Sequence, residues 1–410
     1  MIKEKFMDLE PKQLQLLKTI IQQSSAPEGW REVKLGDVVE EIVMGQSPKS
    51  ETYNTTRDGM PFYQGVVDFG DIFVTPRIYC SAPKKVINAG TILLSVRAPV
   101  GRVNMTREQC SIGRGNCGLK TEKNNQRFLF YLLKASEAQF ENTASGTVFS
   151  SVSSGDIKGI EILLPPLPEQ KAIAEILSSL DDKIDLLYRQ NTTLENIAQT
   201  LFRKWFVEDA GDDWEVGKLE DIIDVIESGS RPKGGIDPNL KVGIASIGAE
   251  SINGIGNFDF SKTKYISEEY FQNMQKGKAK KYDVLIYKDG AYIGKKAMYG
   301  HEFPFSEYAI NEHVFILRTN EKATQIFLYF LLEKKALREL NTSSVQPGIN
   351  QQAIKSLAVT IPPQEKIEEF DSLAKPSIDK ILKNCRQIRT LENLRNLLLP
   401  KLMSGKVRIF

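Results

Sequence analysis

Histidine and cysteine are scarce in this chain of 410 residues, which contains 2 histidines and 4 cysteines. With only His301 and His313 available, a histidine-based metal centre is nearly excluded. Four cysteines are too few for a disulfide scaffold, and they are typical of reduced thiols in the cytosol. Apolar runs long enough to span a bilayer, ~18 residues, are also lacking, and the N-terminus has acids where a signal peptide would have an apolar stretch. We therefore expect a cytoplasmic globular protein.

The net charge is also small, because 54 lysines and arginines are nearly balanced by 52 aspartates and glutamates, which leaves +2. The balance excludes a strongly basic chain, but the charges are distributed unevenly. Residues 77–134 hold eleven basic side chains and two acids, and residues 262–296 hold nine and four. Such segments are the electrostatic footprint of phosphate binding, as in DNA recognition. The alternative interpretation is a solvated basic face.

The chain contains an internal duplication. Residues 29–35 reappear as residues 213–219, and residues 45–49 as residues 229–233. Near the ends of the two copies, the proline pair at 165–166 reappears at 362–363, and residues 193–196 reappear at 390–393. The ends of the copies align, whereas their middles differ in length and sequence. Such a repeat predicts one architecture built twice, with two different sites in its interiors.

Each copy has the same predicted order of elements. Short apolar runs separated by Gly, Pro, Asn and Ser come first and indicate strands, for example at residues 91–96 and 282–287. A helix follows, predicted at 127–138 and at 324–337, and then the proline pair and a long helix. A further helix is predicted at 12–23. The resulting boundaries are 1–27 for an N-terminal helical segment, 28–165 and 209–362 for the two strand-rich domains, and 166–208 and 363–410 for the long helices.

Apolar residues in the predicted long helices recur in steps of three and four, which is a heptad seam. Asn191 is a polar position within it and is expected to set the register, and Pro376 is expected to interrupt the second helix. The first helix would be roughly 60 Å long. A core helix of a compact domain and two long helices pairing as a rod both fit this pattern. The seam residues are Ile173, Leu177, Leu180, Ile184, Leu187, Asn191, Leu194, Leu201, Ile381, Ile388, Leu391 and Leu398.

Side chains suited to reading bases lie in or beside the basic segments. Arginine donates two hydrogen bonds to guanine, and glutamine or asparagine pairs with adenine. Candidates in the first copy are Gln46, Ser47, Lys49, Gln64, Arg97, Arg102, Arg114 and Thr147. Candidates in the second copy are Arg231, Lys233, Lys288, Tyr292, Lys295, Asn311, His313 and Gln346.

Motifs for catalysis are weak or missing. Residues 113–118 match G-x-G-x-x-G, but no βαβ unit surrounds them. There is no phosphate-binding Walker loop, and the proline pairs lack the flanking residues of an amino-methyltransferase motif. Three classes stay open at this point: a reader of DNA sequence, an assembly scaffold with incidental basic faces, and a self-contained methyltransferase or nuclease.

Several motifs together resemble the specificity subunits of type I restriction-modification systems. They are Gly45-Gln46-Ser47-Pro48, residues 90–101, residues 112–115, the stretch around Pro165-Pro166-Leu167-Pro168-Glu169-Gln170, and residues 398–405. The resemblance covers nearly the whole chain. The second copy departs from the pattern, because residues 361–367 are a shortened proline motif and Tyr287-Lys288-Asp289-Gly290 replaces the Ser-Val-Arg-Ala stretch.

The resemblance implies an α+β fold with two similar, strand-rich target recognition domains, separated by long helices that pair as an antiparallel coiled coil with pseudo-twofold symmetry. Each domain would read half of a bipartite double-stranded DNA target. The helices would set the spacer and dock two methyltransferase subunits, and endonuclease subunits would join through these. No cofactor or metal is expected on this chain, since S-adenosylmethionine, ATP and magnesium would belong to the partners, and the chain would not be an enzyme.

Overall fold

The computed structural model describes residues 28–137, 152–290, 293–300, 303–332, 334–340 and 348–409. The chain divides into two compact units. Unit 1 is formed by the described residues up to Ile184 together with those from Thr390 onward, and unit 2 is Asp185–Arg389. The helix predicted at residues 12–23 lies outside the described residues. The predicted domain boundaries follow helix ends, whereas the division into units cuts each long helix in two.

Unit 1 is built around antiparallel strands. They are β1 (Arg31–Lys34), β2 (Glu41–Met44), β3 (Tyr53–Asn54), β4 (Met60–Tyr63), β5 (Tyr79–Cys80), β6 (Val86–Ile87), β7 (Ile92–Ser95), β8 (Val103–Met105), β9 (Cys110–Ile112), β10 (Asn116–Lys120) and β11 (Glu161–Leu164). One sheet has the order β2-β10-β7-β8 and a second has the order β3-β5-β4-β9-β6, while β1 pairs with β11. The pairing of β4 with β9 is parallel.

The described helices of unit 1 are α1 (Gln126–Ala135), α2 (Ser154–Lys158), the first half of α3 (Leu167–Arg203) and the end of the last helix, α8 (Gln364–Met403), from Thr390 onward. Asn125 caps α1 by accepting a hydrogen bond from the backbone N–H of Phe128, and α1 buries the run from Phe128 to Leu133. Ser153 and Asp156 form a capping box on α2. The proline pair at 165–166 ends just before α3, and Pro168 fits the first turn of that helix because a backbone N–H there would have no partner within the helix.

Unit 2 repeats this plan. Its strands are β12 (Glu215–Lys218), β13 (Ile223–Ser228), β14 (Ile244–Ile247), β15 (Gly254–Ile255), β16 (Lys264–Ile266), β17 (Val284–Tyr287), β18 (Lys296–Met298), β19 (Tyr308–Ile310), β20 (Val314–Thr319) and β21 (Ala358–Ile361). Its helices are α4 (Glu268–Asn273), α5 (Gln325–Leu331), α6 (Lys334–Glu339), α7 (Gln351–Lys355), and parts of α3 and α8 (Gln364–Met403).

The central strand pairings of the two units correspond. The order β13-β20-β17-β18 matches β2-β10-β7-β8, and the pair β12-β21 matches β1-β11. The parallel pair β14-β19 matches β4-β9. Unit 2 adds β15 beside β18 and flanks β14 with β16. The predicted duplication of a mixed, strand-rich domain is therefore confirmed in the pairing of the backbone.

Within each unit, the segments of α3 and α8 pack against each other and run antiparallel. In unit 1, Asp181 contacts Arg395, and Glu169 contacts Arg408 beyond the end of α8. In unit 2, the ring centroids of Phe202 and Phe370 are 5.7 Å apart. In both units, higher residue numbers on α3 face lower numbers on α8, as antiparallel packing requires.

The predicted seam lies mostly inside these helix pairs. Its buried members are Ile173, Leu177, Leu180, Ile184, Leu187, Ile381, Ile388, Leu391 and Leu398. Leu194 and Leu201 are half-buried against the core of unit 2. Asn191, also half-buried, accepts a hydrogen bond of 2.8 Å from the Nδ2 of the fully buried Asn384. A polar layer thus occupies the position where the heptad pattern contains an asparagine.

Two predictions about helices are wrong. The first is the interruption at Pro376, because α8 continues through this exposed residue. Proline removes one backbone hydrogen bond, but burial of Ala374 and Ile378 on the same helix favours continuity. The second is the single helix at 324–337, because α5 ends at Leu331 and α6 begins at Lys334. Leu332 between them is extended and fully buried, so packing of its side chain overrides helix propensity.

Candidate nucleic-acid interface

Four loops of unit 1 meet at one edge of its two main sheets. They are residues 45–49 after β2, 64–65 after β4, 96–101 after β7 and 113–115 between β9 and β10, and we name them the unit 1 loop cluster. Backbone hydrogen bonds join them: the Gln46 N–H donates to the Ile112 carbonyl (3.0 Å), and the Val96 N–H donates to the Gly115 carbonyl (2.9 Å). A Cβ on Gly45 would clash with the Gly113 carbonyl, which explains the glycine in the sequence motif.

The first loop of this cluster is held in place by its neighbours. The hydroxyl of Ser47 accepts a hydrogen bond of 3.3 Å from the backbone N–H of Arg114. The hydroxyl of Tyr53 donates to the carbonyl of Pro48 over 3.0 Å. A phenol is protonated at neutral pH, and burial raises the pKa of Tyr53 further, so its hydroxyl is a donor here. These hydrogen bonds hold the backbone of the loop in place, and the side chains of Gln46 and Lys49 on it are exposed to solvent.

Two arginines of the unit 1 loop cluster carry uncompensated charge. Arg97 and Arg114 are exposed, and neither forms an ion pair with a carboxylate among the described residues. Several other bases of the segment 77–134 are paired with carboxylates, for example Arg77 with Asp68 (2.7 Å) and Arg102 with Glu137 (3.4 Å). Exposed Gln64 lies in the same cluster, whereas Thr147 lies outside the described residues. The structure thus brings most candidates of the first copy together. Arg102 differs from the other candidate arginines because it forms an ion pair with Glu137.

Unit 2 forms its loop cluster from the equivalent segments: residues 229–233, 248–249, 288–290 and 311–313, named the unit 2 loop cluster. The Asn311 N–H donates to the Ile247 carbonyl (2.9 Å), and the Lys288 N–H donates to the His313 carbonyl (3.1 Å). These bonds match those of Gly113 with Tyr63 and of Val96 with Gly115 in unit 1.

The charges of the second cluster differ from those of the first. By this matching of hydrogen bonds, Asp289 and Glu312 stand where unit 1 has Arg97 and Arg114. His313 lies between the two carboxylates, with its Nδ1 2.7 Å from Asp289 and its Nε2 3.3 Å from Glu312. The Nε of Arg231 lies 2.9 Å from Glu312.

The remaining candidates of the second copy occupy varied positions. Lys233 is exposed in the cluster, and Lys288 is half-buried with its ammonium 3.8 Å from Asp289. Lys295 is half-buried just before β18, outside the cluster as defined. Tyr292 and Gln346 lie outside the described residues. A surface cleft of about 440 Å³ adjoins the cluster, and its lining includes Arg231, Lys241, Lys262, Lys264, Asn311 and His313.

Sequence reasoning missed the two carboxylates, Asp289 and Glu312. A search for cations passes over acids, although Glu312 adjoins two candidates, Asn311 and His313, in the sequence. Glu137 was missed for the same reason, and it anchors the start of β8 by accepting a hydrogen bond of 2.7 Å from the backbone N–H of Val103.

Among the described residues, no three histidine, cysteine, aspartate or glutamate side chains are grouped so that they could hold a metal ion, and no helix is long and apolar enough to cross a membrane.

The duplicated sheets, the antiparallel helix pairs and the two loop clusters define a class of protein with two recognition domains on a helical scaffold. A family described as the type I restriction modification DNA specificity domain matches residues 27–196 and 211–398. The chain belongs to this family, and it is a DNA specificity subunit with two target recognition domains. Such a subunit is the non-catalytic part of a type I restriction enzyme complex. The family predicted from the motifs is confirmed.

Individual relatives agree with this assignment. The chain is similar to a putative type I restriction enzyme MjaX specificity subunit of Methanocaldococcus jannaschii, with 42% identity over 172 residues. That alignment covers 41% of this chain and 40% of the relative. It is also similar to the MjaIX specificity subunit of the same organism, with 25% identity over 93% of this chain and 94% of the relative.

A solved structure is similar in fold. The type I restriction-modification S subunit from M. genitalium superimposes with a TM-score of 0.62 at 16% identity, and the match covers 94% of this chain and 98% of that one.

Proposed function

We propose that this subunit reads a bipartite double-stranded DNA target, with each loop cluster reading one half. The observation that carries the proposal is that equivalent loops meet at the same sheet edge in both units. In unit 1 this edge carries the exposed side chains of Arg97 and Arg114, which form no ion pair with any of the described residues. Phosphate contacts would position each domain, and side chains of the clusters would read base edges.

The base-reading candidates in this proposal are those that the clusters present. Gln46, Ser47, Lys49, Gln64, Arg97 and Arg114 serve the first half, and Arg231, Lys233, Lys288, Asn311 and His313 serve the second. We assign Arg102 and Lys295 a supporting role. Thr147, Tyr292 and Gln346 stay candidates from the sequence.

The helices α3 and α8 are proposed to set the unread spacer between the half-sites and to dock two methyltransferase subunits. Endonuclease subunits would join through these, and S-adenosylmethionine, ATP and magnesium would be bound by the partners in the cytoplasm. Support comes from apolar side chains that these helices expose: Leu186, Tyr188, Ile197 and Leu373 are 51%, 50%, 54% and 53% exposed. The duplication supplies equivalent surfaces for two copies of one partner. The domain boundaries at 28–165 and 209–362 belong to the same proposal.

The test is a selection of bound duplexes from a random library, with the chain co-expressed with the methyltransferase subunit of its own operon. We expect two short motifs separated by a gap of constant length and no sequence preference. One continuous motif would show that only one loop cluster reads DNA. A stable complex that enriches no sequence would overturn the proposal and leave an assembly scaffold.

A further inference from the structure

The unit 2 loop cluster contains a chain of four charged or titratable side chains from three loops. Asp289 contacts His313, His313 contacts Glu312, and Glu312 contacts Arg231, at distances of 2.7, 3.3 and 2.9 Å. Each loop is anchored to a strand of the domain, since β13 precedes Arg231, β17 precedes Asp289, and β19 and β20 flank Glu312 and His313. The chain ends at the Arg231 side chain, which is 60% exposed.

The ion pair holds Arg231 by its Nε atom. Its two terminal Nη groups form no hydrogen bond with any of the described residues. These Nη groups are the donors that an arginine can direct to O6 and N7 of guanine, and such a contact requires the planar guanidinium to be held in one orientation. A carboxylate against Nε supplies this restraint. Glu312 is itself confined, since its Oε1 lies 3.3 Å from the Nε2 of His313 and its Oε2 is buried, without a hydrogen-bond partner among the described residues.

We propose that Arg231 reads a guanine in the second half of the target, and that Glu312 and His313 are positioning residues that orient it. The inference rests on the proposed function, because it assigns a base to one residue of that site. It separates the two units chemically. Arg97 and Arg114 of unit 1 have no such carboxylate beside them among the described residues. In unit 2, by contrast, Arg231 is held by Glu312, which itself contacts His313.

The test compares wild type with Arg231→Lys and Glu312→Gln, each as the complex with the methyltransferase subunit, in the duplex selection described above. Lysine keeps the charge but cannot form the planar two-bond contact. We expect Arg231→Lys to lower discrimination for guanine at one position of the second half-motif by about 5- to 150-fold. Glu312→Gln should lower discrimination for guanine at the same position by a smaller factor, because the arginine is still present but the carboxylate that orients it is gone.

The matched control is Lys276→Gln, since Lys276 is an exposed lysine of unit 2 outside the loop cluster and forms no ion pair among the described residues. This variant should leave the motif unchanged, with any loss of affinity equal for all sequences. The double variant Arg231→Lys, Glu312→Gln should discriminate no worse than Arg231→Lys alone, because Glu312 is argued to act through Arg231. Thermal unfolding of each variant reports whether the domain still folds.

The outcomes separate this inference from the proposed function. A wild-type complex without a bipartite motif would contradict the proposed function itself. A wild-type bipartite motif that Arg231→Lys leaves unchanged, with a uniform loss of affinity, would overturn the inference and assign Arg231 to a phosphate. Relaxation by Glu312→Gln at a position other than the one that Arg231 controls would also overturn it.

Discussion

Arg97 and Arg114 are exposed cations without a carboxylate partner in the described chain, whereas Arg102 nearby is paired with Glu137. An exposed arginine without an ion pair can bind a phosphate and release counterions from the DNA without first breaking another contact. A paired arginine must first give up its ion pair. All three residues are arginines of the same basic segment of the sequence. Only the ion pair that Arg102 forms in the folded chain distinguishes it from the other two.

We expect Arg97→Ala and Arg114→Ala each to weaken DNA binding and to reduce the slope of log K against log salt by about 0.9 per phosphate contact removed. Arg102→Ala is the matched control and should change both quantities less. Fluorescence anisotropy of a labelled target duplex at several salt concentrations measures them. An effect of Arg102→Ala larger than that of both other variants would contradict the assignment.

The cysteines give a second prediction at this scale. Cys110 and Cys117 are fully buried in unit 1, and burial raises the pKa of each thiol to about 12. Because the thiolate is the reactive form, neither residue should react with iodoacetamide in the folded protein at pH 8, and both should react after denaturation. Peptide mass spectrometry reads out the labelling. Rapid labelling of Cys110 in the native chain would show that the sheet around it opens.

The long helices carry adjacent residues with opposite environments. In α3, Leu187 is 3% exposed inside unit 2, and Leu186 is 51% exposed. We expect Leu187→Asp to lower the free energy of unfolding by about 3 kcal/mol or more, since it removes core contacts and buries a carboxylate. Leu186→Asp should change it by less than about 0.5 kcal/mol and should instead weaken capture of the methyltransferase subunit. Urea unfolding and co-purification measure the two effects.

These two variants test the seam and the docking surface separately. Equal stability of both variants would mean that Leu187 is not a packing residue of the helix pair. Full capture of the methyltransferase subunit by Leu186→Asp would place the docking surface elsewhere on the chain.

In unit 1, the helix pair contains a buried ion pair. Arg395 of α8 donates a hydrogen bond of 2.9 Å to Asp181 of α3, and both residues are at most 9% exposed. Arg395→Ala leaves the carboxylate of Asp181 buried without its cation, so we expect a loss of about 3–5 kcal/mol in the free energy of unfolding at pH 7. Lys401→Ala, at an exposed position of the same helix, is the control and should change little. Urea unfolding measures both.

The same variant has an expected pH dependence. Burial raises the pKa of Asp181, and the charge of Arg395 opposes this rise. Without Arg395, the folded-state pKa rises further above that of an unfolded aspartate. The folded state then binds a proton that the unfolded state does not, so the deficit of Arg395→Ala relative to wild type should shrink as the pH falls from 7 towards 4. A deficit that is constant with pH would show that Asp181 is not the source of the loss.

At the scale of the whole molecule, one scaffold carries two loop clusters of different charge. Each cluster is built only from residues of its own unit. Substitutions in the two clusters should therefore act independently. In the selection experiment, Arg114→Ala should affect the first half-motif or overall affinity, and Arg231→Lys should affect only the second half-motif.

The double variant Arg114→Ala, Arg231→Lys should lose the sum of the two single losses in binding free energy, to within about 0.5 kcal/mol. Anisotropy titrations of the four proteins with one duplex give the required cycle. A double variant that binds much better or worse than this sum would show that the two domains are energetically coupled on DNA.

The amino-acid sequence by itself determined the duplication, the heptad seam, the strand-rich class of the domains and the family. These features are periodic or local, so they can be recognised without knowing which distant residues meet. Tertiary structure decided the continuity of α8 through Pro376, because burial of the neighbouring face outweighs one missing hydrogen bond. It also decided which cations are free for DNA. Arg97 and Arg102 differ only in whether folding brings a carboxylate beside them, and Arg231 meets Glu312 across 81 residues of chain. An ion pair between distant residues is a property of the fold, and residue types or spacing in the sequence do not specify it.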